Sequence, residues 1–148
     1  MKQQRARLVA LLAAGSLAVL YFQWSPHGPA LALRAECPAR VRLGQETMLR
    51  LIIGNPHRHP VRLDDIDLAQ PYVDGLMVVN VTPPVRESRV HHRLDLLSLS
   101  YDEPLQPGEL REWIVRLKAV KPGRFRGELA VYSATNVTSR LLETTVIP

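Results

Sequence analysis

Hydrophobic and polar positions alternate in short runs along most of this chain, with turn residues between the runs. Residues 47–53 set Leu49, Leu51 and Ile53 on one face and Met48, Arg50 and Ile52 on the other. A period of two is the mark of a strand with one buried side. The clearest stretch lies near the end. Residues 110–119 predict a strand with Trp113, Val115 and Leu117 inward and Glu112, Arg116 and Lys118 outward. After Lys121-Pro122-Gly123 the chain turns back, with Phe125, Leu129 and Val131 inward and Arg124, Arg126 and Glu128 outward. Proline-glycine pairs, here and at Pro107-Gly108, favour tight turns because proline fixes φ and glycine accepts φ > 0.

Further strands are predicted over 31–43, 61–68, 76–81, 94–101 and 141–147. The first is interrupted at Pro38, as in an edge strand that kinks. Gly44-Gln45 reads as a turn, 55–60 (NPHRHP) as a loop, Gln70-Pro71 as a break and 83–93 as a polar, irregular connection. About seven strands at regular spacing, with a tryptophan available for the core, predict an all-β fold: an immunoglobulin-like antiparallel β-sandwich.

The first 24 residues break this pattern. Lys2, Arg5 and Arg7 precede an uncharged apolar run, LVALLAAGSLAVLYFQW, ending in Tyr21, Phe22 and Trp24. A basic start before an apolar segment is how translocation signals look, with the positive residues held on the cytoplasmic side. The sequence favours one transmembrane helix kept as a signal anchor, because the aromatic residues sit where a bilayer interface would take them. The alternative is cleavage after Ala32, at the small-x-small site Ala30-Leu31-Ala32, which would release the domain to the periplasm or beyond. The expected organisation is therefore an anchor over 1–24, a linker over 25–32 and a sandwich domain over 33–148. The expected location is the inner (cytoplasmic) membrane, single-pass, with the domain extracytoplasmic.

Charge matters less than the totals suggest. The chain carries 19 Lys and Arg against 14 Asp and Glu. Three of the basic residues belong to the targeting segment, and the rest nearly balance the acids. No run of five or six like charges exists, so nucleic acid is not expected as a partner. The single cysteine, Cys37, excludes an internal disulfide and a multi-thiolate metal site.

From residue 40 to 131 the chain resembles the bacterial extracellular immunoglobulin-like modules of the CARDB and NEW3 type. The likeness rests on Leu43, Gly44, Glu46 and Asn55, then Leu105, Pro107, Gly108, Glu109 and Gly123. It departs over 83–92, which is longer and more basic than that pattern. The resemblance implies an adhesion, spacer or assembly role rather than a reaction, and fold alone licenses no activity.

No nucleophile elbow, phosphate loop, dinucleotide fingerprint or zinc-protease motif is present, so no catalytic residues and no cofactor are expected. Asp64, Asp65 and Asp67 read as a solvated strand face, with Asp65 and Asp67 on one side and Asp64 on the other. The sequons at Asn80 and Asn136 matter only in a eukaryotic secretory pathway. Four histidines carry the alternative function. If the loops bearing His57 and His59 and bearing His91 and His92 emerge at one end of the sandwich, their imidazoles could bind zinc or copper(II), as in a metal-delivery protein. The same assumed topology sorts charge: loops 55–62, 83–93 and 120–124 total +6, while 43–46, 69–74 and 102–109 total −5. The basic end would then rest on anionic lipid headgroups, unless the sorting is scatter. The leading expectation is a non-catalytic, membrane-tethered module acting through protein–protein contacts, with exposed edge strands as one route.

Overall fold

The computed structural model describes residues 30–148. The apolar segment read as an anchor, and most of the linker, lie outside the described residues. Ten strands follow: β1 (Ala32–Glu36), β2 (Arg40–Arg42), β3 (Glu46–Gly54), β4 (Val61–Ala69), β5 (Leu76–Thr82), β6 (Glu87–His91), β7 (Leu96–Leu105), β8 (Leu110–Ala119), β9 (Gly123–Ser133) and β10 (Asn136–Ile147), with one helical turn, α1 (Gln70–Val73), between β4 and β5. They form a four-stranded sheet, β1-β3-β8-β5, packed on a six-stranded sheet, β2-β10-β9-β4-β7-β6. All pairs are antiparallel except β2 with β10.

The core is the set the alternation selects. Leu49, Leu51 and Ile53 of β3 and Trp113, Val115 and Leu117 of β8 are fully buried, facing Leu63, Ile66 and Leu68 of β4 and Leu129 and Val131 of β9. Tyr101 meets the edge of Trp113 at 5.9 Å between ring centres, and the Arg111 guanidinium lies 5.7 Å from the indole. The expected kink at Pro38 is a change of sheet. β1 pairs with β3, and three residues later β2 pairs with β10 on the other layer. Thr144, fully buried on β10, clamps this crossing: its hydroxyl donates to Pro38 O at 2.7 Å and accepts from the buried Tyr72 hydroxyl of α1 at 3.0 Å. Burial pushes the Tyr72 phenol well above its ordinary range, the Thr144 hydrogen bond opposing that shift.

In β4 strict alternation from Val61 would turn Asp65 and Asp67 into the core. A register shift between Leu63 and Asp65 prevents this, opposite Asp102, which takes φ 64°. Leu63, Ile66 and Leu68 all point inward as a result, and the two carboxylates face out. Leu31 is already buried, and its carbonyl accepts the Thr138 hydroxyl at 2.7 Å. The sandwich thus begins at Leu31, inside the segment expected to be linker.

Three features differ from the sequence reading. Among the described residues the strands number ten rather than about seven, one pair is parallel, and residues 83–93 are no loop. Residues 87–91 form β6, paired along its length with β7. This strand shows no apolar alternation because it lies at the sheet edge with four of its five residues exposed.

Candidate functional site

β6 decides which loops meet. An unread strand reverses the chain direction once more than expected, so every later loop emerges at the opposite end. The 55–60 loop lies where β4 begins, and Val61 pairs with Leu105. His91 sits beside Leu96, which pairs with Ala69 where β4 ends. His57 and His59 (ring centres 5.7 Å apart) are thus separated from His91 and His92 by the length of β4, about 26 Å at ~3.3 Å per residue. The four-histidine cluster does not form. Among the described residues, no three His, Cys, Asp or Glu side chains come together as a metal site.

The expected charge polarity fails for the same reason. The 83–86 segment, the 55–60 loop and the 106–109 turn share one end, while 43–45, 70–75, 92–95 and 120–122 share the other. Arg58 and Arg86 then stand with Glu109, and Arg93 and Lys121 with Asp74 and Asp95. Charges expected at opposite ends instead pair. Arg62 and Arg86 both reach Asp102, at 2.5 and 3.0 Å, while Arg111, on the strand that follows the 106–109 turn, binds Glu103 and Glu109 at 3.1 and 2.6 Å. Among the described residues, the loops expected to separate by charge are therefore mixed at both ends.

The motif residues behind the family resemblance hold the frame. Gly44 turns the chain at φ 83°, and its N–H donates to Ala119 O. Asn55, buried, is a hub at the other end. Its Nδ2 donates to His59 O and Leu105 O at 2.8 and 3.0 Å, and its Oδ1 accepts the His57 N–H at 2.9 Å. Its backbone pairs with Glu109 O and Gly108 N. The Glu109 carboxyl is held below its usual range by the Gln106 N–H first and by Arg111 second. Cys37 is half-buried, its thiol directed at Glu143 O at 3.6 Å.

The three aspartates of β4 do not converge on a common point. Asp64 accepts the Ala134 N–H at 2.5 Å, and Asp65 accepts the Ser100 hydroxyl at 2.6 Å. Asp67, half-buried on the outer face of the larger sheet, has its carboxyl raised chiefly by burial, a Ser98 hydrogen bond opposing the shift.

What the sequence reading did not find is a groove of about 360 Å³ between the two layers, at the side where the smaller sheet ends in β5 and the larger in β6. Val78, Val79, Asn80 and Val81 of β5 form one wall, Ser88, Leu97 and Leu99 of β6 and β7 the other, and Pro84 and Val85 cap an end. The cap is fixed by the Tyr101 hydroxyl, which donates to Pro83 O at 3.0 Å, and by the Arg86 N–H to Ser100 O at 2.9 Å. β5 carries an irregularity between Val78 and Asn80 against β8, and the Asn80 side chain folds back to accept the Val81 N–H. Val79, which lines the groove, and Val90, on the same face of β6 as Ser88, stay 43% and 46% exposed. Read as a strand and a polar loop, these residues gave no sign of facing one another.

No protein-family model matches the chain, and no curated protein does. Solved structures do. Activated Escherichia coli alpha-2-macroglobulin matches over 80% of this chain at TM-score 0.54 and 14% identity, and the chain spans 9% of that protein's length. The CARDB domain of PF1109 from Pyrococcus furiosus matches over 79% of this chain and 94% of its own, at TM-score 0.53 and 11% identity. AvmM, which catalyses macrocyclization in alchivemycin A biosynthesis, matches over 82% of this chain and 92% of its own, at TM-score 0.50 and 9% identity. The fold is therefore of the CARDB immunoglobulin-like type that the motifs resemble. At these identities the likeness extends to fold alone, and the fold serves a catalyst as well as other modules.

Proposed function

We propose that this protein is a non-catalytic, membrane-tethered extracytoplasmic module that works through protein–protein contacts, in an assembly, spacer or adhesion role. The observation that carries the reading is the groove between two sheet edges, which contains no catalytic constellation. Its lining is mainly valine, leucine and proline, with Asn80 and Ser88 as the polar members. Such a surface suits main-chain pairing and side-chain burial rather than bond chemistry. Arg62, Arg86 and Arg111, nearest the described turns, are taken up in ion pairs with Asp102, Glu103 and Glu109.

The burial of Leu31 supports a tether retained beyond Ala32. Cleavage there would remove Leu31 from the core and the carbonyl that Thr138 binds, and would leave Ala32, paired with Gly54, detached from its strand. The test is the mass of the natural protein's N-terminus from fractionated cells, together with its native size after mild detergent extraction. An intact start in the membrane fraction, at a size above the monomer's, is the expected result. A start at Leu33 in the soluble fraction would overturn the tether, and a monomer under every extraction condition would overturn the contact role.

A further inference from the structure

Four strand edges bound this sandwich, and three of them carry charge. β1 has Arg34 and Glu36, β2 has Arg40 and Arg42, and β6 has Glu87 and Arg89. Charged side chains on an edge are a common defence against pairing with another chain. The fourth edge, β5, has none: from Gly75 to Val85 the sequence GLMVVNVTPPV is without a charged residue. Its uncharged length coincides with the groove, and Val78 to Val85 supply most of the lining.

The two layers are also unequal, four strands against six. Both β1 and β2 lie at one side, where Leu31 meets β10 through Thr138, so the surplus falls at the other. There β6, with part of β7, extends past β5 and its inner face is left uncovered. Ser88 lines the groove, and Val90, two residues on and so on the same face, is 46% exposed. The vacant position beside β5 is one to two strand widths, about 5–10 Å at ~4.8 Å per strand.

We propose that this position receives a lone extended segment from a partner protein, added to β5 as a fifth strand of the smaller sheet. The proposal rests on the protein-contact reading above and names the partner's form. The segment is five to seven residues long to match Leu76–Thr82, has aliphatic side chains at alternate positions toward Val90, Leu97 and Leu99, and is uncharged on that face. A folded partner's sheet edge does not fit, and neither does β5 of a second copy. In a continuous sheet made from two copies, each copy's β6 overhang would occupy the place of the other's. A tail or an unstructured loop brings one strand without a second layer and meets no such obstruction.

The test uses the full chain in its own cells, with a benzophenone amino acid replacing in turn Val90 beside the groove, Arg34 on the β1 edge and Arg58 in the 55–60 loop. After irradiation, adducts are mapped to the crosslinked peptide by mass spectrometry. The expected result is an adduct at Val90 whose partner peptide is a short, uncharged, aliphatic-alternating segment, and no comparable adduct at Arg34 or Arg58. Placing Val79→Lys in the Val90 probe strain should reduce that adduct at least tenfold. Val79 is partly exposed, so the variant retains its core, and melting of the purified variant checks this. Adducts at Arg34 or Arg58 without one at Val90 would overturn the inference and leave the contact reading standing. An adduct at Val90 to a second copy of this chain, to a helical or charged segment, or one indifferent to Val79→Lys, would overturn it too. No adduct at any of the three sites would count against both.

Discussion

Replacing Asn55 with alanine should be among the most damaging single changes outside the apolar core. The side chain is buried and makes three hydrogen bonds, all to main-chain groups: His57 N–H, His59 C=O and Leu105 C=O. A hydrogen bond contributes about 1 kcal/mol net, and a buried group left unpaired costs about 1–3 kcal/mol. Water can serve His57 and His59 in their partly open loop, so those two losses belong near 1 kcal/mol each. Leu105 is fully buried, and its carbonyl, left without this partner, costs about 1–2 kcal/mol. The expected loss is about 3–4 kcal/mol. For roughly 119 ordered residues, at ~2.1 cal/mol/K per residue, this lowers Tm by about 12–16 °C. Residues 30–148 suit the measurement, because the buried cluster is drawn from Leu31 to Val146. Urea unfolding gives the free energy, and hydrogen exchange at Gly108, which donates to Asn55 O, reports whether the loop and the 106–109 turn separate. Asn55→Asp keeps the shape and the acceptor for His57 but sets a carboxylate against two carbonyls, so at neutral pH it should be no better than alanine. An alanine variant within 1 kcal/mol of the natural protein would refute the hub argument.

Gly127→Ala should cost about 1–3 kcal/mol by overpacking, read by the same urea titration. An added Cβ would meet the Cβ atoms of Ala69 and Tyr72 at 2.9 Å, neither of which can swing away. At the sheet crossing, Tyr72→Phe removes one donor and should cost about 1 kcal/mol, whereas Thr144→Val strips partners from both Tyr72 and Pro38 and should cost more; equal melting temperatures for the two would contradict the shared-hydroxyl geometry. Asp67 has its carboxyl raised by burial, so the folded state binds its proton more readily than the unfolded state. That group's destabilisation is full above the folded value and vanishes below the unfolded one. Asp67→Asn should therefore raise stability at pH 7, and its advantage should shrink as pH falls through the carboxylate range, measured as paired melts from pH 7.5 to 3.5. Zinc at several-fold excess should leave Tm unchanged, since the two histidine pairs stand at opposite ends; a rise abolished by alanine at His57 and His59 would revive a metal site.

Local pattern carried far in this chain. Period-two alternation at β3, β8 and β9 assigned the core faces correctly, because on these strands one side is buried against the other layer and the side-chain period leaves no freedom. Gly44, Pro107-Gly108 and Lys121-Pro122-Gly123 marked real turns, since few residues other than glycine accept the backbone found at Gly44 and Gly108, φ 83° and 73°.

Placement in space was a different matter. β6 is an edge strand whose existence depends on pairing with β7, formed from residues later in the chain, so its own composition announces nothing. Missing it inverted the assignment of every subsequent loop, and with it the histidine cluster and the charge polarity. The register shift beside Asp65 and the change of sheet at Pro38 are of the same kind. Each is a choice between local geometries that only packing against the opposite layer resolves. The groove follows from a mismatch of four strands against six, a quantity that belongs to no segment and exists only once both sheets are assembled.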